Sequence, residues 1–435
     1  MDAKLKTLVK NPYIIFFPFL LFYLYIVKIN KWPTLYGDEI RYVQFAKNLL
    51  HGFYSPPPPN INLWNGPGYP ILLAPFVAFH IPDFYITCLN ALFLYLALVL
   101  LFKAINLVAG FKIALFGCLL LAIYPNSLAV LPILYTEAFT SFLVCAFIYS
   151  LLICFQNTRP KGFVLPGIIL GYLVLTKIIF GYVIVICLII AAVFCLLKKV
   201  KTRYIKMLSI LILAFSLSLP YLVYTWHLTG KMFYWGNSGG MSLYWMSSPY
   251  ENEYGDWKLP ELTNRQYPNL FKSAEATAIL KKNHAIEMKF ILSHSPIAQD
   301  SLFKQIAIRN IKQHPAKFIS NYVNNMSRML FNFPYSYAFQ DAAIVRNIII
   351  GSSILWTAII GSILTLINWR RLIFSLKVLL LINVIYLLLT GALSAYPRQL
   401  DVMMPVFIFW MAYLAANLKK PAIRFIDQPE TKSIA

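Results

Sequence analysis

Between Phe163 and Leu197 the sequence runs for about 35 residues with one charged side chain, Lys177. As a single helix this stretch would measure roughly 52 Å against a hydrocarbon core of roughly 30 Å, so it has to fold as two membrane spans. The natural break is Thr176-Lys177. Both flanks are basic, Arg159 with Lys161 before it and Lys198, Lys199, Lys201 and Arg203 after it. Basic turns mark the cytoplasmic side, which puts the break, and Lys177 with it, on the external side.

The same logic organises the rest of the chain. Spans are expected at Tyr13–Ile29, Phe84–Val108, Ile113–Leu131, Ala138–Phe155, the two halves of 163–197, Ile205–Trp226, Ile344–Ile367, Ile373–Leu393 and Val402–Leu418. Lys4, Lys6 and Lys10 precede the first span, Lys103 and Lys112 occupy one turn, and Trp369-Arg370-Arg371 and Lys419-Lys420 occupy later ones. These basic turns all fall on one side, with both termini cytoplasmic. The basic N-terminus and first apolar segment read as a retained helix, since that segment exceeds a signal-peptide core and no small-residue cleavage pattern follows. A content of 59% hydrophobic and 12% charged residues over 435 residues, with mean hydropathy +0.65, lies outside the range of soluble domains. The net charge of +22 reports topology, and no nucleic-acid partner is implied. The fold class is thus an all-α polytopic membrane protein of about ten transmembrane helices. It divides into an N-terminal module 1–226 with a first external loop 31–82, an external domain 227–343, closing helices 344–420 and a cytoplasmic tail 421–435. No internal repeat is evident.

The first external loop is where chemistry is expected. It holds adjacent acids in Gly37-Asp38-Glu39-Ile40-Arg41-Tyr42, then Pro56-Pro57-Pro58-Pro59 and Trp64-Asn65-Gly66-Pro67-Gly68-Tyr69-Pro70. Ionisable groups at membrane depth are costly and mark function. Tyr42, Phe45, Ala46 and Leu49 recur at helical spacing, which predicts a short interfacial helix beginning near Gly37. Asp38 is four residues before Tyr42 and is expected on that apolar face, with Glu39 one step around. The segment Ile71–His80 is too short to cross and is expected to rest in the interface. The external domain is expected to be mixed but mostly helical, with helices at Ala274–Leu292 and Asp300–Leu330.

Topology gathers Asp38, Glu39, Arg41, His51, Glu137, Lys177 and Arg398 on one side, although they are far apart in sequence. One or two carboxylates with separate cations suit a reaction in which a hydroxyl or amine loses a proton while a phosphate leaves. Alternatives stand beside this reading: Glu137 as a cap or ion-pair partner, Lys177 and Arg398 snorkelling to headgroups, Asp38 as a helix start, His51 as a loop hydrogen-bonder. The six cysteines lie in apolar runs without metal-like spacing. The histidines are dispersed, and Glu251-Asn252-Glu253 is the nearest approach to an Asp-x-Asp metal motif, so no metal is assigned and a divalent ion is not implied. Without a phosphate-binding glycine loop, an activated donor is expected to arrive through the lipid phase.

Tyr36-Gly37-Asp38-Glu39 with Tyr42, Trp64-x-x-Pro67-Gly68-Tyr69-Pro70, Tyr135-Thr136-Glu137, Leu175-Thr176-Lys177 and Arg398 before Met404-Pro405 together resemble the C-type (GT-C) glycosyltransferases. The resemblance is to the protein mannosyltransferase and lipid A aminoarabinose transferase group, and it covers residues 13 to about 200 and about 395 to 415. It implies transfer of one sugar from a polyprenyl-phosphate donor to a glycan, lipid or protein acceptor on the external face, typically with inversion and without a nucleotide. By position Asp38 would be the catalytic base, Glu39 would orient the acceptor, and Lys177 and Arg398 would grip the donor phosphate. Glu137, Arg41, Tyr42, His51, Tyr69 and Tyr396 would support them. Where the lipid A branch often carries a basic residue, Asn65 and Gly66 stand here. Two rivals remain: a lipid or polysaccharide transporter, which would place polar groups near mid-membrane, and an oligosaccharide polymerase or ligase using diphosphate-linked lipids.

Overall fold

A computed structural model describes residues 10–156, 161–197, 202–260, 262, 273–332, 344–393 and 395–418. Lys4, Lys6, Arg159, Lys198, Lys199, Lys201, Lys419, Lys420, the expected external-domain end at 343 and the tail from Pro421 lie outside the described residues. Among the described residues the regular structure is helical throughout. The order is α1 Pro12–Asn30, α2 Asp38–Leu50, α3 Gly68–Ala78, α4 Asp83–Ala109, α5 Phe111–Ala122, α6 Pro125–Val130, α7 Glu137–Gln156, α8 Val164–Thr176 and α9 Ile179–Leu197. It continues with α10 Thr202–Thr229, α11 Gly239–Met246, α12 Ser273–Leu292, α13 Pro296–Gln313, α14 Pro315–Phe331, α15 Ile344–Ile367, a 3₁₀ turn Trp369–Arg371, α16 Phe374–Gly391, α17 Pro397–Asp401 and α18 Met404–Asn417.

Seven of these helices, α1, α4, α7, α9, α10, α15 and α16, are long and apolar enough to cross a membrane, as an integral multi-pass protein requires. The expected total of ten spans depends on α5, α8 and α18, which rise only roughly 18–21 Å each. The expected break at Thr176-Lys177 is present: α8 ends at Thr176, Lys177 is extended at φ −125°, ψ 95°, and α9 starts at Ile179. Two expected helices are shorter than read from the sequence. The run 113–131 stops at Ala122 and restarts at Pro125, because Tyr124 is extended (ψ 116°) and proline takes the first turn of the new helix. Likewise 300–330 divides at His314, with Pro315 opening α14. Both prolines were visible signals.

Helices α4 and α7 pack extensively against each other, as do α8 and α10, while α1, α5 and α18 all lean on α4. The outer helices α1 and α15 leave much of their apolar surface exposed, which suits contact with lipid chains. Helices α11 to α13 enclose a second, smaller core built on Tyr244, Trp245, Met288, Ile291 and Phe303, against which Trp64 and Trp257 pack. That lobe is anchored by a buried ion pair of Asp256 with Lys258 at 2.9 Å and by fully buried Arg328, which donates to the Tyr254 carbonyl at 2.6 Å.

Candidate active site

The loop 31–82 reaches its position through close backbone approach. Gly37 takes φ +60° just before α2, a region L side chains avoid. Gly66 lies directly on the Leu175 carbonyl, and a Cβ on Gly68 would meet Thr176 Oγ1 at 2.6 Å. The loop therefore rests on the end of α8, next to the break that carries Lys177. Tyr172 of α8 fastens the contact by donating to the Gly68 carbonyl at 2.8 Å.

Asp38 is the first residue of α2. It is part-exposed and holds two guanidiniums: Arg41, one turn on, and Arg398 of α17, whose NH1 donates to Oδ2 at 3.2 Å. Arg41 also donates from Nε to Asn65 Oδ1 at 3.2 Å and lies 4.9 Å over the Trp64 ring. Asn65 in turn donates to the Tyr42 hydroxyl at 3.1 Å, and buried Tyr42 meets Tyr69 edge-on at 5.1 Å. Arg398 lies 5.4 Å over the ring of Tyr135. Burial opposes the Arg398 charge, yet Glu137 and Asp38 outweigh it and raise the guanidinium pKa above its ordinary value.

The second pair is Glu137 with Lys177. Lys177 Nζ donates to Glu137 Oε1 at 2.9 Å, and Glu137 at the head of α7 is buried while Lys177 is 20% exposed along its side chain. The two pairs are neighbours, since Glu137 and Asp38 both act electrostatically on Arg398.

Glu39 differs from its expected place. The expectation put Asp38 on the inward face and Glu39 one step around, but Glu39 is the buried member at 3% exposure. The buried stripe of α2 runs through Glu39, Tyr42, Val43 and Ala46, spacings of three and four that centre on Glu39 and leave Asp38 at its edge. Glu39 accepts from Lys31 Nζ at 2.6 Å, from the Tyr36 amide at 3.0 Å and from the Leu134 amide at 2.8 Å. It fastens the loop to the segment before α7. Lys31, Asn65 and the Leu134 amide were not singled out from sequence, because each acquires its role only through contact with a residue distant along the chain.

His51 is not brought to the site. It caps the far end of α2, exposed, and 13 residues of helix place it roughly 18–20 Å from Asp38. Tyr396 stands at the start of α17 and donates to the Trp257 carbonyl at 3.2 Å, while Trp64 and Trp257 meet edge-on at 6.3 Å. Through these contacts the α11–α14 lobe forms one wall of the site. Asp401 is a further acid that sequence reading passed over. It is 3% exposed, with Tyr124 and Asn126 beside its carboxyl. Burial, and then Glu137 nearby, push its pKa well above the carboxylate range. Lys31 is matched by Glu39 and Lys177 by Glu137, whereas Asp38 faces two arginines. The site's surplus of positive charge lies around Asp38.

No model of a known protein family matches this sequence, and no curated protein matches it in sequence. Solved structures that match include two of an archaeal oligosaccharyltransferase from Archaeoglobus fulgidus. One is AglB in complex with an inhibitory peptide and a dolichol-phosphate, at 13% identity over 92% of this chain and TM-score 0.48. The other is tethered to an acceptor peptide containing the NVT sequon, at 13% identity over 92% and TM-score 0.47. The chain spans about half the length of these proteins, 50% and 49%. A third is ArnT from Cupriavidus metallidurans bound to undecaprenyl phosphate, at 14% identity, covering 93% of this chain and 78% of that one, TM-score 0.39.

Proposed function

We propose that this chain is a membrane glycosyltransferase that moves a single sugar from a polyprenyl-phosphate-linked donor to an acceptor on the external face, with inversion. The observation that carries the reading is Asp38 held between Arg41 and Arg398, a carboxylate and two guanidiniums within one hydrogen-bonded group. An acceptor hydroxyl gives its proton to an Asp38 oxygen as its own oxygen attacks the anomeric carbon. The bond from that carbon to the phosphate oxygen breaks, and the phosphate leaves with the electron pair, neutralised by Arg398 and Arg41. General-base help of this kind is worth ~10²–10⁴-fold in rate.

The resting arrangement adds an ordering to these events. While both arginines engage Asp38, its oxygens are occupied. An arriving donor phosphate competes for the guanidiniums, since bidentate pairing suits phosphate as well as carboxylate, and so frees the base. Lys177 joins the phosphate only by loosening its contact with Glu137, a secondary role. Tyr42, Tyr69 and Tyr396 form the walls, and Glu39 holds the loop in place.

The test is Asp38→Asn in purified protein supplied with a polyprenyl-phosphate sugar, read by the mass gained by the acceptor. The expected result is a fall of ~10²–10⁴-fold in turnover with the donor still bound. Transfer near the wild-type rate would remove Asp38 as the base, and a product gaining many sugars at once would replace single transfer with polymer joining.

A further inference from the structure

At the other end of the bundle a cavity of about 630 Å³ opens between α9, α10, the 3₁₀ turn and α16, within the size range of sites for small ligands. Helix α9 leaves the Lys177 break and reaches this cavity through Cys187, Ile190, Ala191 and Phe194, so the cavity lies up to roughly 22 Å further along its axis. The lining is of two kinds. Apolar side chains of α9 and α16 form one, and three cations, Arg203, Arg370 and Lys377, form the other.

Two of these cations face aromatic rings. Arg203 lies 5.3 Å from the Tyr204 ring and 5.4 Å from Phe374, and Lys377 lies 5.1 Å from Trp369. Aromatic faces attract a cation but leave its charge in place, and gathering three like charges is unfavourable without an anion between them. Among the described residues, the elements around the cavity supply no acid: α9, α10, α15, the 3₁₀ turn and α16 contain no Asp or Glu. Beside the cavity, α9 presents Ile189 at 60% and Val193 at 45% exposure, so the approach is through an apolar surface. An occupant matching both features has an anionic head and apolar chains. A free phosphate satisfies the cations and leaves the apolar part empty, and a neutral lipid does the reverse.

We infer that this groove binds one anionic phospholipid of the surrounding leaflet, its phosphate between Arg203, Arg370 and Lys377 and an acyl chain along α9 and α16. The site is separate from the Asp38 site and does not depend on the reaction assigned there.

The experiment is native mass spectrometry of the detergent-solubilised full chain, titrated with phosphatidylglycerol or with phosphatidylcholine of the same acyl chains. A cation at a membrane surface contributes about fivefold in affinity for anionic lipid, so three predict a preference on the order of 100-fold for phosphatidylglycerol. Arg203→Gln and Arg370→Gln, both at exposed positions, each lower that preference about fivefold, and the triple variant with Lys377→Gln binds both lipids alike. Ala191→Trp fills the groove without changing charge and removes the bound lipid, which covers failure of the triple variant to insert. Asp38→Asn leaves lipid binding unchanged. Equal affinity for the two lipids in the wild type, or preference undiminished in the Gln and Trp variants, overturns the inference. So does displacement of the lipid by millimolar inorganic phosphate, which would mark a free-anion site, or a polyprenyl phosphate bound far more tightly than phosphatidylglycerol.

Discussion

Asp38 and Arg398 meet across 3.2 Å although 360 positions separate them in the sequence. Asp38 starts α2 in the first loop and Arg398 lies in α17, the short helix before the last apolar one. Their contact joins the first loop to α17 in one site, and under the proposed function it is the contact that a donor phosphate opens.

Arg398→Gln is therefore expected to affect the donor more than the acceptor. Loss of one charged hydrogen-bond partner predicts donor KM raised by roughly 10–100-fold, on about 1.5–3 kcal/mol for such a bond. Arg41→Gln behaves similarly. Lys177→Gln has a smaller effect on donor KM, because Lys177 is already matched by Glu137. Initial-rate kinetics with varied donor check this, and equal KM changes in all three variants would contradict it.

The buried pair Lys31 and Glu39 makes a prediction about stability. Side-chain exposure is 8% and 5%, so Lys31→Met leaves Glu39 charged and uncompensated inside the protein. Breaking a buried pair in this way costs on the order of 3–5 kcal/mol. The double variant Lys31→Met with Glu39→Gln is expected to recover most of the loss in a thermal unfolding assay in detergent. A double variant no better than the single one would mean that Glu39 acts mainly through the Leu134 amide.

Gly66→Ala tests the seat of the loop. A methyl group there overlaps the Leu175 carbonyl, and backbone cannot swing aside as a side-chain tip can. Overpacking of this kind costs about 1–3 kcal/mol, with a lower melting temperature and a raised donor KM as the loop lifts off the Lys177 break. Gly239→Ala, where an added Cβ meets nothing within 4 Å, is the matched control and is expected to change neither.

The α11–α14 lobe carries a pH dependence of its own. Burial works against the Glu253 charge, but His284, bonded to both of its oxygens at 2.9 Å, and Lys258 pull its pKa down to about 2. A depressed carboxylate stabilises the fold above its unfolded value near 4.3, and that contribution is lost as pH falls toward 2. The lobe is expected to loosen between about pH 4.3 and pH 2, and Glu253→Gln to remove that transition. Hydrogen exchange over residues 239–260 against pH measures it.

Much of this architecture was legible because bilayer thickness converts apolar length into topology. The 163–197 run could only be two helices, and the break fell at Thr176-Lys177 because a charged residue interrupts the apolar run there. One-sidedness of the basic turns then gathered Asp38, Glu137, Lys177 and Arg398, and the structure brings these four together. What periodicity could not settle was rank within a helix. Tyr42, Phe45 and Ala46 fix a buried stripe, yet whether Asp38 or Glu39 lies under it depends on about 100° of rotation, decided by Lys31 and the Leu134 amide. His51 shows the opposite failing: sharing a side of the membrane does not mean sharing a site when a straight helix intervenes. The missed breaks at Pro125 and Pro315 came from trusting apolar continuity over proline.

The span between Asp38 and Arg398 also bears on how the protein is made. At about 5–20 residues per second of synthesis, Asp38 leaves the ribosome on the order of 20–70 s before the arginine that completes its surroundings. During that interval the loop, Gly66 and the α8 end can already pack, while the acid at the start of α2 has only Arg41 as a partner. The growing chain thus inserts its first loop well before the site is complete, and α17 closes the site only after the intervening helices have been made.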